Sequence, residues 1–178
     1  ALSGLPEEPY PIGLTGHNAF IGGGTHNQAI GNRPRVVGGR CNTACGIRPN
    51  VAGGNNNSAI GNRSNVAGGS DNCAIGGYSN VAGGTFNKAC CNQSNIAGGY
   101  YNTAGNYYSN VAGGIFNTSA GISSHVGGGN LNQAIGNCSN VAGGNINTAS
   151  GLQSNIAGGK LNYTGTNPAL SGAPDQPY

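Results

Sequence analysis

Asn72-Cys73-Ala74-Ile75-Gly76 and, three residues on, Ser79-Asn80-Val81-Ala82-Gly83-Gly84 are the two phrases from which the whole chain is built. Each alternates a small or aliphatic residue with a variable one and closes on Gly. That is the pattern of a short strand ending in a turn. The second phrase recurs as V/I-A/G/V-G-G, beginning at Ile21, Val36, Val51, Val66, Val81, Ile96, Val111, Val126, Val141 and Ile156, always 15 residues apart. The first supplies an invariant column: Asn27, Asn42, Asn57, Asn72, Asn87, Asn102, Asn117, Asn132, Asn147 and Asn162. Two residues after each Asn stands Ala, except at Ser119 and Thr164. Self-similarity at one short period, with no insertion, is the signature of a solenoid.

The expected fold is therefore all-β: a parallel β-solenoid of about ten 15-residue coils with two short strands each, over residues 12–166. Extended tails are expected at 1–11 and 167–178, both Pro-rich, to cap the sheet edges or reach a neighbour. Stacking at ~4.8 Å per coil gives a rod of roughly 45–50 Å.

Composition alone is less decisive. Of 178 residues 36 are Gly, 6% are charged, and Met and Trp are absent. A chain so poor in large apolar groups has no ordinary globular core, and only the periodicity separates it from a disordered Gly/Asn-rich tract. A net charge of +3 lacks the dense basic field of a nucleic-acid binder. No stretch has the ~18–20 apolar residues of a transmembrane helix, so the chain is not expected to span a membrane.

The direction of each column follows from its variability. Val/Ile is aliphatic in all ten coils, whereas the residue after each Asn runs from Gln28 and Lys88 to Tyr163. Val/Ile, Ala, Asn and Ser are thus expected to point inward, since a one-residue slip would strand the aliphatic column in water. Inward amides stacked on one another can hydrogen-bond along the ladder and to turn backbone. The Gly-Gly pairs read as turn residues with φ > 0 or close backbone approach. A phosphate loop would need a following helix, and nothing here has helical period.

The run Asn147-Thr148-Ala149-Ser150-Gly151-Leu152-Gln153-Ser154-Asn155-Ile156-Ala157-Gly158-Gly159 resembles the YadA-type head repeat of trimeric autotransporter adhesins and related surface and phage fibres. The resemblance covers about residues 12–166 and implies a left-handed roll, three rolls side by side, and surface adhesion. The chain departs from that pattern in its rigid 15-residue period and its six Cys. The N-x-A-x-G half is also similar to the repeat of grass ice-binding β-rolls.

Chemistry-bearing side chains are few. Glu7, Glu8, Asp71 and Asp175 are the only acidic residues, and His17, His26 and His125 fall in different columns. No catalytic, cofactor or metal site is expected from such scattered groups. Cys41, Cys45, Cys73, Cys90, Cys91 and Cys138 sit badly for disulfides. Cys45 and Cys90 are three coils apart, and Cys73 and Cys90 are two positions out of register, a Cα separation of roughly 8 Å. They read as free thiols or intermolecular partners, or equally as small fillers of outward columns.

Three surfaces qualify as assembly or docking candidates. Arg33, Arg48 and Arg63 share a column, with Arg35 and Arg40 nearby; like charges ~4.8 Å apart repel unless an anion or acidic partner lies across them, and Glu7 and Glu8 could serve. The alternative is a merely solvated edge. Asn50, Asn65, Asn80, Asn95, Asn110, Asn140 and Asn155 form a flat outward column with Ala beside it, suited to packing on a copy of itself or to ordering water. Tyr78, Tyr100, Tyr101, Tyr107 and Tyr108 crowd the middle coils, where sugars could stack. Sequons stand at Asn56, Asn62, Asn92, Asn117, Asn137 and Asn162, of which the inward Asn117 and Asn162 conflict with glycosylation.

The functional expectation is a non-catalytic, extracellular or cell-surface structural solenoid that assembles with itself into a fibre or filament. An adhesin head is the alternative and an ice-binding protein the third reading. The expected partner is the chain itself, with glycans or a host surface as further candidates, and no nucleic acid.

Overall fold

The computed structural model describes residues 13–165, with side-chain surroundings from residue 16 onward. The tails and the Glu7 and Glu8 counter-charges lie outside the described residues. Two parallel sheets stack coil on coil: eleven strands from Gly13–His17 to Tyr163–Thr164, and ten from Phe20–Ile21 to Asn155–Ile156. Every register step is 15 residues, as in Asn80↔Asn95 with Val81↔Ile96 and Lys88↔Thr103 with Ala89↔Ala104. No described residue is helical, and no helix is long and apolar enough to cross a membrane.

A third ladder, which the sequence pattern does not announce, completes each coil. Single-residue parallel bridges link Thr25, Arg40, Asn55, Ser70, Thr85, Tyr100, Ile115, Asn130, Asn145 and Lys160 in succession. Each coil therefore turns three times. After the Val strand it bends at the second Gly of the pair, where φ lies between 84° and 97°. It bends again one residue before the inward Asn and once more one residue before the Ser column. These last corners are built by non-Gly residues in the left-handed region, among them Arg33, Asp71, Phe86, Tyr101 and Ile146, with φ from 54° to 61°. Such a conformation costs about 1 kcal/mol or more for a residue with a Cβ. The ladder offsets it: the corner N–H reaches back one coil, as in Cys41 N to Thr25 O at 2.9 Å and Arg33 N to His17 O at 2.8 Å.

The interior is narrow. Val36, Val51, Val66, Val81, Val111, Val126 and Val141 are fully buried, Ile96 is the largest side chain enclosed, and Ile156 closes the column at 5% exposure. Facing them are the Ala column from Ala29 to Ala149 and the amides from Asn27 to Asn147, all buried; the last, Asn162, is exposed. Ser119, which replaces Ala, shares a hydrogen bond with Ser124 at 2.6 Å between hydroxyl oxygens, and Ser124 Oγ donates to Gly121 O. The polar exception is thus satisfied locally.

Pro34 and Pro49 occupy the Ser column in the second and third coils. Elsewhere the Ser N–H closes a turn on the carbonyl three residues back, as in Ser64 N to Gly61 O at 3.1 Å and Ser79 N to Gly76 O at 3.2 Å. Proline has no N–H to give. There the chain stays extended, and Gln28–Asn32 and Thr43–Ile47 run five residues where most strands run two.

Candidate assembly surfaces

The inward amides are structural cross-links with no free valence for a ligand. Asn57 shows the pattern: Nδ2 donates to Gly53 O in its own coil and to Gly69 O in the next, each at 2.9 Å, while Oδ1 accepts the Asn72 N–H at 3.1 Å. Asn42, Asn72, Asn87, Asn102, Asn117 and Asn132 repeat it. Any coil is therefore tied to its neighbour by side chain as well as by backbone.

The Gly-Gly pairs divide unequally. A Cβ on Gly84 would stand 2.2 Å from Gly99 O and 2.6 Å from Asn87 Nδ2, whereas one on Gly83 would meet nothing within 4 Å. Only the second glycine of the pair is sterically required, because the inward amide and the next coil's carbonyl both press on it.

The outward Asn column forms a second amide ladder. Asn50 donates to Asn65 at 2.7 Å, Asn65 to Asn80 at 2.7 Å, Asn80 to Asn95 at 2.9 Å, and Asn140 to Asn155 at 3.0 Å. His125 interrupts the column between Asn110 and Asn140. The small outward residues Ala52, Ala67, Ala82 and Ala97 lie exposed beside it.

Arg33, Arg48 and Arg63 are exposed on one corner. Arg63 ends the run by stacking its guanidinium over the Tyr78 ring at 5.2 Å and donating to the Tyr78 hydroxyl. Arg35 faces outward from the adjoining strand, 5.3 Å over Phe20. Arg40 belongs to the bridge ladder on the far side of the Arg35–Val36 strand from that corner. Asp71, the one described carboxylate, accepts from Ser70 and from Asn56, and these bonds hold its carboxyl below the ordinary aspartate range.

All six thiols are free. Burial pushes the Cys73 and Cys90 thiols up, with Lys88 only partly opposing it. Among the described residues no three His, Cys, Asp or Glu converge as a metal site. Of the sequons, Asn117 has its amide engaged by Gly113 O and Gly129 O, and Asn162 by Gly158 O. Asn62, Asn92 and Asn137 are exposed on one corner column, their Oδ1 atoms accepting the backbone N–H of Ile47, Gly77 and Ile122.

One surface escaped the sequence reading. The corner residue before each inward Asn runs His26, Cys41, Asn56, Asp71 and then Phe86, Tyr101, Phe116, Leu131, Ile146, Leu161. Phe86 and Tyr101 stack at 4.7 Å between ring centroids, Tyr101 and Phe116 at 5.3 Å, with Tyr100 edge-on to all three. The signal was present at 15-residue spacing, in a column that the sequence reading did not line up.

Fold and outward columns together define the class: a repeat protein of the parallel β-solenoid type. No protein-family model matches the chain, and no curated protein matches it in sequence.

Proposed function

We propose that this chain is a non-catalytic structural solenoid that assembles with copies of itself into an extracellular or cell-surface fibre. One observation carries the reading. Every Phe, Tyr and Leu whose surroundings are described is exposed, while the interior holds nothing larger than Ile96. The coil is too narrow to enclose a ring, so the large apolar groups stand outside, where they serve contact between molecules. The interlocked amides supply a stiff rod, and the solenoid's quasi-one-dimensional cohesion favours joining at its ends or flanks. The extracellular placement draws on the resemblance of the repeat to adhesin heads.

An adhesin head is the second reading, supported by Tyr78, Tyr107 and Tyr108, whose exposed rings suit saccharide stacking. Ice binding has less support, because the outward row beside Ala holds Thr at only some rungs, among Gln28, Ser58, Cys73 and Lys88. Electron microscopy of the purified full chain discriminates. Filaments or lateral bundles support the proposal, discrete trimers favour the adhesin arrangement, and isolated rods at every concentration overturn self-assembly.

A further inference from the structure

Six consecutive coils present one uninterrupted apolar column at a corner: Phe86, Tyr101, Phe116, Leu131, Ile146 and Leu161, each 40 to 66% exposed. The same column in the earlier coils is polar, with Asn56 and Asp71, which suit a left-handed corner. Phe, Leu and above all β-branched Ile146 suit it poorly, yet they hold φ of 55° to 61° from Phe116 to Leu161. The chain accepts local strain to keep apolar groups where folding alone does not need them.

We infer that this column is the interface of an antiparallel, two-fold pair of copies of this chain. The inference rests on the proposed self-assembly and names the face that carries it. Three observations choose the occupant. The rings of Phe86, Tyr101 and Phe116 stack face to face along the rod, so their edges point outward. A saccharide stacks on ring faces and finds none free at Tyr101, in the middle of that stack. With Tyr100 and Ile115 alongside, each copy offers eight exposed large side chains in one stripe, and a specific pair needs about 600 Å² or more from each partner. The order of residues then selects the direction. The column is three aromatics followed by three aliphatics, so antiparallel pairing sets Phe86 against Leu161, Tyr101 against Ile146 and Phe116 against Leu131. Because both copies repeat every 15 residues, their rungs stay in step along the whole contact. The two-fold axis passes between Phe116 and Leu131, and the contact is isologous. The flanking rows bring Lys88 opposite Tyr163 and Lys160 opposite Thr85, so no like charges meet.

Sedimentation velocity of the full chain, kept reduced, tests this. The wild-type chain is expected to dimerise. Phe86→Asp alone and Leu161→Lys alone should each weaken the dimer by about tenfold or more. The two together should recover most of the loss, because each new charge faces its opposite across the two-fold axis. Within one chain the two positions are five coils, ~24 Å, apart and cannot compensate each other. Circular dichroism spectra superimposable on that of wild type certify that these outward corner substitutions leave the fold intact. A double variant no better than the singles overturns the antiparallel geometry. Variants that still form filaments with undiminished pairing overturn the stripe but leave self-assembly standing, whereas a wild-type chain that is monomeric at all concentrations overturns both. A monomer that dimerises only after deletion of residues 166–178 identifies that segment as the occupant and likewise overturns the pairing.

Discussion

Asn72 Oδ1 accepts the backbone N–H of Asn87 at 3.0 Å, so an amide side chain in one coil replaces the carbonyl that a longer strand would have offered to the next. The same Asn72 side chain donates to Gly68 O at 3.0 Å and Gly84 O at 2.8 Å. One residue thus ties three backbone groups in two coils, of which Gly84 O also accepts the Ser70 N–H at 3.0 Å.

Removing such an amide in the middle of the rod should be severe. Asn87→Ala strands Gly83 O and Asn102 N and leaves Gly99 O with the Thr85 N–H alone, an expected loss of about 2–4 kcal/mol at ~1–3 kcal/mol per stranded group. Asn162→Ala, at the exposed end and with no further coil to hold, should lose only about 1 kcal/mol. Denaturant midpoints of the two variants measure the contrast. Equal midpoints would mean that the ladder does not hold the coils together.

Gly84→Ala and Gly83→Ala are chemically identical and should behave differently. The first forces a Cβ into the Gly99 carbonyl and the Asn87 amide at a φ of 84°; the second enters open space. Thermal melts should show Gly84→Ala lowered by many degrees and Gly83→Ala by little.

Asp71 should make stability mildly pH-dependent, with a defined sign. Its folded-state pKa lies below the unfolded value of ~3.9, through the Ser70 and Asn56 hydrogen bonds. The contribution is therefore fully present above that unfolded value and is lost as pH falls through the folded one. The melting-temperature difference between wild type and Asp71→Asn should shrink from pH ~5 downward, and a difference that grew on acidification would contradict the assignment.

Thiol chemistry should sort by position. Cys138 is exposed, whereas burial raises the Cys73 and Cys90 thiols and keeps them protonated at neutral pH. Alkylation followed by peptide mass spectrometry should label Cys138 well before either. Prior labelling of Cys73 would show that the outer face of the eleven-stranded sheet opens in solution.

Much of the fold was readable because its information is one-dimensional. The 15-residue interval between Val81 and Ile96 is at once a sequence period and the register of the ladder, so counting sufficed to find the parallel solenoid. The turns were harder to read. Non-Gly corners such as Arg63 and Phe116 are left-handed because the inter-coil hydrogen bonds demand it, and residue type gives no hint of that demand. The ladder that Arg40 joins was hidden for a related reason. Nearness along the chain says nothing about which of three ladders a residue joins.

By itself, then, the sequence determined the architecture: a period of 15, a stack of about ten coils, and an all-β chain. Only the tertiary structure decided what each amide bonds, which glycine of a pair is indispensable, and that Phe86, Tyr101, Phe116, Leu131, Ile146 and Leu161 line one edge. The physical reason is the narrow bore of the coil. It admits Val, Ala, Asn and Ser and turns every ring outward, so residues distant in sequence become rungs of one exposed surface once the coils are stacked.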